Sequence, residues 1–317
     1  MRTREPPDVL LERLRRGDRG ALARLLSLAE SEPAVYAKVA DAVSAQAGRA
    51  MRIGITGPGG AGKSTLIDAL VRELRAAHSA AGGPSRVAVL ATDPSSERTG
   101  GALLGDRIRF GPGSADDGVF FRSVATRGAA GGFAHAGFDQ LDLLDAFGFD
   151  CLLVEAVGAG QSEIEIAAAV DLTVVALPPA GGDAVQALKA GVMEAGDLFV
   201  VTKCDLPGAE AAAATLKSVI ELRAADGGDV LLPPVVLASA LDGAGVGELL
   251  RITRERHAVL RARGELDRRR CERLARRVRH LVLREFEPRL LAAVTELAAN
   301  GGSPQALARA VTERMRR

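Results

Sequence analysis

Residues 52–65 read Arg52-Ile53-Gly54-Ile55-Thr56-Gly57-Pro58-Gly59-Gly60-Ala61-Gly62-Lys63-Ser64-Thr65. From Gly57 onward the stretch fits G-x-x-x-x-G-K-[ST], with an apolar run before it and an amphipathic run (Leu66, Leu70, Leu74) after it. Strand, glycine-rich loop and helix in that order form a phosphate cradle. Gly57, Gly59, Gly60, Ala61 and Gly62 let the backbone wrap closely, so that N–H groups and the helix amino terminus face phosphate oxygens. Lys63 would reach the terminal phosphates, the Ser64 hydroxyl would ligate Mg²⁺, and Thr65 belongs to the same phosphate-binding run. Nucleoside triphosphate binding is the first expectation, and it says nothing yet about purpose.

Outward from the cradle, short apolar runs recur, each followed by Gly, Asp or Pro and then a helical stretch. They are RIGITG, RVAVLATDP, GVFFRSVATR, CLLVEAVG, LTVVALPP, LFVVTKCD and VVLASA. Both sides of these runs are apolar, as in strands covered by helices on two faces. The pattern predicts an α/β fold, a P-loop NTPase with a mostly parallel central sheet and ligands at the carboxyl ends of the strands. Residues 1–50 read as a helical amino-terminal extension: Val9, Leu10, Leu14, Leu22, Leu25 and Leu26 recur at helical spacing, with Pro33 and Gly48 as punctuation. Residues 51–245 form the nucleotide domain, and 246–317 read as almost entirely helical, with a turn at Gly264 and breaks at Pro288 and Asn300-Gly301-Gly302.

Composition narrows the function. The 317 residues are 47% hydrophobic, enough for a sizeable core, with a formal net charge of +1. Tryptophan is absent and tyrosine occurs once, which argues against stacking on bases of RNA or DNA. No run approaches the ~20 apolar residues of a membrane span, and the amino terminus lacks the apolar run of a signal peptide. No nucleic-acid partner, no membrane and a cytoplasmic location are expected. Cys151, Cys204 and Cys271 are too scattered for a metal site, and the first two are expected as buried thiols.

A Mg²⁺ ion on a triphosphate takes hard oxygen ligands, a few carboxylates and waters. Asp93 closes VAVLATD, Asp106 lies in GGALLGDRIRF, and Glu155 closes CLLVE. Glu155 opens Glu155-Ala156-Val157-Gly158-Ala159-Gly160-Gln161, where P-loop proteins carry an acid followed by a glycine that senses the γ-phosphate. A glutamate there adds a methylene, so direct ligation and contact through a bridging water are both open. Arg107, Arg109, Arg122 and Arg127 lie in the same region, either clamping phosphate and nucleotide-dependent loops or simply paired and solvated.

The segments GPGGAGKST, ATDPSSERTGGALLGDRIRF, VEAVGAGQSE and GGDAVQALKAGVMEAGDLFVVTKCD occur in that order. Together the chain resembles the methylmalonyl-CoA mutase-associated GTPase family, G-protein chaperones of adenosylcobalamin-dependent acyl-CoA mutases that have also carried an arginine/ornithine transport kinase label. The likeness covers nearly the whole chain. VFFRSVATRG with DPSSERTGGALLGDRIR is also similar to the G-domain of fused isobutyryl-CoA-type mutases. The resemblance implies Asp93, Asp106 and Glu155 around Mg²⁺ and the phosphates, with Lys63, Glu155 and Asp93 as the catalytic group. It implies that Arg109, Gly158, Gln161, Asp183, Gln186 and Lys189 belong to switch and coupling segments, GGDAVQALKAG being the loop that links nucleotide state to the mutase. HAVLRARGELDRRRCERLARRV looks like a dimerisation arm, so a homodimer is expected, with GTP hydrolysis stimulated by a methylmalonyl-, isobutyryl- or 2-hydroxyisobutyryl-CoA mutase. The apolar positions Leu274, Val278, Leu281, Val282 and Leu283 would give that arm a buried side.

Thr202-Lys203-Cys204-Asp205 stands where guanine readers carry Asn-Lys-x-Asp. The Asp205 carboxylate would accept from guanine N1–H and the exocyclic amino group; adenine offers neither pair. A site built this way rejects the wrong base by roughly four to five orders of magnitude at most. Lys203 lays its stem along the purine. The usual asparagine ties the loop to the cradle and contacts the other edge of the base, and the Thr202 hydroxyl can supply part of that. GTP and GDP are therefore preferred, with weaker affinity than an asparagine would give. Ser239, Ala240 and Leu241 match the family's second base-contacting loop. Two other functions compete: a small-molecule P-loop kinase, which needs a base beside an acceptor pocket that the sequence does not display, and a nickel-insertion GTPase, which needs a His- or Cys-rich segment, against four scattered histidines and three isolated cysteines.

Overall fold

The computed structural model describes residues 5–80, 85–93, 116–125, 136–156, 161–179, 190–224, 231–299, 301 and 303–315. Seven strands form one parallel sheet: β1 (Met51–Thr56), β2 (Val87–Asp93), β3 (Val119–Ala125), β4 (Cys151–Glu155), β5 (Leu172–Leu177), β6 (Leu198–Val201) and β7 (Val235–Leu237). Their order is β3-β2-β4-β1-β5-β6-β7 and every pairing is parallel. All seven apolar runs of the sequence became strands.

Alternation explains why the runs are apolar throughout. Val87 and Val89 of β2, Cys151 and Leu153 of β4, and Ile53 and Ile55 of β1 face one core, which the helices Lys63–Ala80 (α4) and Val246–Ala262 complete. Ala88 and Leu90 of β2, with Leu152 and Val154 of β4, face the opposite core, built with the helix Ala136–Ala146 and three amino-terminal helices. Those three, Pro7–Arg15, Arg19–Ser31 and Pro33–Ser44, place Leu10, Leu14, Leu22, Leu25, Leu26, Tyr36, Val39 and Val43 at no more than 1% exposure. Val9, expected inward, is 45% exposed. A third cluster packs Phe199 and Val201 of β6 against Leu216 and Ile220 of the helix Ala209–Ala224.

One device recurs at the amino ends of the strands. An aspartate just before a strand accepts a backbone N–H from the neighbouring strand: Asp150 from Arg86 (2.7 Å), Asp171 from Arg52 (3.2 Å) and Asp197 from Thr173 (2.9 Å). Each satisfies a donor that the ladder leaves over at the sheet's rim. A buried ion cluster holds the same end. Arg52 donates to Asp142 (2.9 Å) and Asp145 (3.0 Å), while Asp145 also accepts the N–H groups of Gly48, Arg49 and Ala50.

Residues up to Leu266 form one compact unit and those from Asp267 a second. The second contains most of the helix Glu265–Ala299, which follows a left-handed Gly264 (φ 71°), and the helix Pro304–Met315. The expected break at Pro288 does not occur, because the helix continues through it. Proline lacks one N–H donor and costs about 3 kcal/mol in a helix interior, yet the helix spans 35 residues with Pro288 inside it. Within this unit Ala293 and Val311 are buried, whereas Leu274, Val278, Leu281, Val282, Leu283 and Phe286 are 39–60% exposed.

Candidate nucleotide site

The cradle lies between the end of β1 and the start of α4. Gly57 (φ 138°) has a conformation closed to other residues, and a Cβ there would sit 2.0 Å from the Ala176 carbonyl oxygen of β5. Lys63 is 7% exposed, and its Nζ donates to the carbonyl oxygens of Gly57 (2.8 Å) and Pro58 (3.0 Å). The ammonium is thus held over the loop that backbone N–H groups surround.

Beside it, the Ser64 hydroxyl donates to Glu155 Oε1 at 2.5 Å. The parallel register sets Glu155 opposite Ile55, one strand from the cradle, which is why the two side chains meet. Thr92 Oγ1 donates to the Glu155 carbonyl oxygen at 2.8 Å and fixes the end of β4 from the other side. A hydroxyl and a carboxylate in contact are a hard oxygen pair that suits Mg²⁺. Among the described residues no group of three His, Cys, Asp or Glu side chains is poised for a metal, and a triphosphate site does not need one, since phosphates and waters complete the shell.

The base-reading segment follows β6. Lys203 has φ 52°, the one positive value among described non-glycine residues, and its Nζ donates to the Gly60 carbonyl oxygen at 2.9 Å. Left-handed backbone at a bulky residue is costly and concentrates at functional sites. Thr202 is 4% exposed; its Oγ1 lies 2.7 Å from Ala61 O and 3.0 Å from Leu177 O. The next loop is joined to this one, because Cys204 N donates to Ala238 O (3.2 Å) and Ala238 N to Val201 O (2.9 Å). That loop is closed by Ser239 N to Ala244 O, and by Asp242, which accepts from Ala244 N and is held below the usual carboxylate range by that bond first.

The consequence is one pocket. Thr202, Lys203, Asp205, Ser239, Ala240 and Leu241 line it together with Gly62 and Thr65 of the cradle. Leu66 and Leu206 line it too, and sequence reasoning had not named either as a site residue. Leu206 follows Asp205 directly and is 47% exposed, and that adjacency is the signal in the sequence.

Other expected residues fall differently. Asp106, Arg109, Gly158, Asp183, Gln186 and Lys189 lie outside the described residues, as do Arg107 and Arg127; for Asp93, which closes β2, and Gln161, which opens a helix, only the backbone is described. Arg122 takes the paired reading, with Nη2 donating to Glu30 (3.1 Å) and Ser27 (3.3 Å). Cys151 is buried and its thiol is pushed up to about 12 by desolvation. Cys204 is only half-buried, since it sits in the loop rather than the strand; burial first, then Asp242 and Asp205, raise its thiol pKa.

Comparison with known proteins gives the same picture from another direction. The family model for methylmalonyl-CoA mutase-associated GTPase MeaB matches residues 22–295. A Pyrococcus abyssi protein bearing a provisional GTPase name is 41% identical over 276 residues, 87% of this chain and 83% of its own. The methylmalonic aciduria type A homolog, mitochondrial, of Mus musculus is 39% identical over 220 residues, 68% of this chain and 51% of that one. Among solved structures, a crystal structure of an LAO/AO transport system kinase superposes with a TM-score of 0.71 at 27% identity, covering 98% of both chains.

Proposed function

This chain belongs to the methylmalonyl-CoA mutase-associated GTPase family, and on that premise we propose that it binds and hydrolyses GTP to gate cofactor loading and protection of an adenosylcobalamin-dependent acyl-CoA mutase. The observation that carries the nucleotide half of the reading is the shared pocket, in which the cradle and two base-side loops converge. Asp205 accepts from the guanine N1–H and amino group, Lys203 spans from the base loop to Gly60, and Lys63 serves the terminal phosphates. Ser64 and Glu155 would hold Mg²⁺, with Asp93 and Asp106 as the further carboxylates. When bound there, the ion would supply charge neutralisation for the β- and γ-phosphates. Arg109, Gly158, Gln161, Asp183, Gln186 and Lys189 carry the nucleotide state to the mutase.

The mutase half rests on the family and on the name of the mouse relative. Its test is GTP turnover by the full chain with and without methylmalonyl-, isobutyryl- and 2-hydroxyisobutyryl-CoA mutases. Stimulation by one of them is expected. Stimulation by none, with GTP bound normally, would defeat the chaperone reading and return attention to a small-molecule kinase. The helices beyond Leu266 are proposed as the homodimerisation arm, supported by the exposed apolar positions from Leu274 to Phe286.

A further inference from the structure

Thr202 stands where a guanine site carries asparagine, and asparagine has two tasks there: tying the loop to the cradle and reading the imidazole edge of the base. The surroundings of Thr202 divide those tasks. Its Oγ1 has two close neighbours, Ala61 O at 2.7 Å and Leu177 O at 3.0 Å. Both are carbonyl oxygens, which accept and cannot donate. The hydroxyl carries one proton, so that proton is directed to the carbonyls, and 2.7 Å is the ordinary length of such a bond. Lone pairs are all that remain on Oγ1. Guanine presents N7 on its imidazole edge, and N7 is itself an acceptor. An oxygen lone pair facing N7 makes no bond.

Asparagine escapes this limit because its amide brings two N–H donors, one for the backbone and one for the base. Among the described side-chain donors of the pocket, the Ser239 hydroxyl serves Asp242, whose carboxyl it helps to hold low, and the Lys203 ammonium is turned to Gly60 O. We propose that Thr202 is a positioning residue that locks the base loop onto the cradle and leaves guanine N7 unread, so that N7 adds nothing to nucleotide affinity. The proposal rests on the guanine-nucleotide reading above and adds to it a statement about which atoms of the base are recognised.

The test compares GDP with 7-deaza-GDP, in which N7 is replaced by C–H while N1–H and the amino group are kept. Calorimetry on the full chain with Mg²⁺ is expected to give Kd values within threefold of each other. Thr202→Asn should open a gap of about three- to tenfold in favour of GDP, the worth of one neutral hydrogen bond. Thr202→Val, which keeps the shape and removes the hydroxyl, should weaken both ligands by the same factor, about three- to thirtyfold. A native chain that prefers GDP over 7-deaza-GDP by more than threefold would overturn the proposal, and so would a Thr202→Val chain that binds both ligands as tightly as the native chain. Failure to bind GDP at all would instead sink the guanine reading, so the two outcomes are distinguishable. The native comparison needs no variant and stands even if a substitution fails to fold.

Discussion

Replacing Arg52 by Met probes the cluster that holds the sheet's lower rim. The guanidinium side chain is 6% exposed and faces Asp142 (11%) and Asp145 (0%) at 2.9 and 3.0 Å. Burial opposes its charge, and the two carboxylates more than offset that, leaving the guanidinium pKa raised. Methionine fills similar volume without charge, so the cost falls on the carboxylates left behind. Removing one partner of a buried pair costs about 3–5 kcal/mol. Asp145 keeps three backbone N–H donors from Gly48, Arg49 and Ala50, which can support a carboxylate by themselves. Asp142 keeps the Ser44 hydroxyl at 3.2 Å, fewer donors than Asp145 has, so the larger share of the penalty falls on Asp142 and the expected loss is near the lower limit, about 3 kcal/mol. For a unit of this size that is a drop in Tm of roughly 6–12 °C. Denaturant melts of Arg52→Met and of Arg52→Met with Asp142→Asn measure it, the second change recovering a part of the loss because no uncompensated charge remains on residue 142. Arg52 lies five residues before the first cradle glycine, Gly57, at the opposite end of β1, so GDP affinity of the folded variant should be unchanged. A loss under about 1 kcal/mol would refute the reasoning, since it would mean that water or rearrangement compensates both carboxylates.

Gly57→Ala should weaken GDP binding by at least about tenfold, from left-handed strain and the collision with the Ala176 carbonyl; affinity within twofold of native would contradict the cradle geometry. Asp116 accepts from Arg75 (2.7 and 2.5 Å) and Gly118 N (2.8 Å), and Arg75 first of all holds its carboxyl below the usual range. A depressed carboxylate stabilises above its unfolded pKa and loses that contribution as pH falls through the folded value. Asp116→Asn should thus destabilise at pH 7, by no more than about 1 kcal/mol for a side chain so exposed, and the penalty should shrink steadily in melts at progressively more acidic pH. Val278→Glu with Leu281→Glu should convert a dimer to a monomer in light scattering; a native chain that is monomeric with and without a GTP analogue would refute the arm.

What the sequence made legible was local chemistry. The seven strands announced themselves because a strand covered on both faces is apolar throughout, and the cradle because its glycines, lysine and serine are consecutive. Pro288 misled because the residue itself reads as a helix breaker, while the helix Glu265–Ala299 runs through it. Cys204 misled because the apolar run before it ends at Val201, so the thiol belongs to a loop. The role of Thr92, and of Gly60 as the acceptor for Lys203, could not be read at all, since each partner comes from a segment far along the chain.

Strand order is the step that turns these local readings into a site. Neighbouring strands lie about 4.8 Å apart. Glu155 is on β4, adjacent to β1, so a short serine on the cradle reaches it directly. The base loop follows β6, two strands from β1 on the other side, roughly 10 Å away. Closing that distance falls to the loops themselves: Thr202 Oγ1 reaches Ala61 O of the cradle, and Lys203 Nζ reaches Gly60 O. The left-handed backbone at Lys203 is what aims that side chain back, and Thr202 anchors the turn that imposes it. A nucleotide laid from the cradle to the base loop therefore bridges two segments already linked through these two side chains. Strain at Lys203 and the bond from Thr202 belong to one construction, and a change that loosens either is expected to be felt at the phosphates as well as at the base.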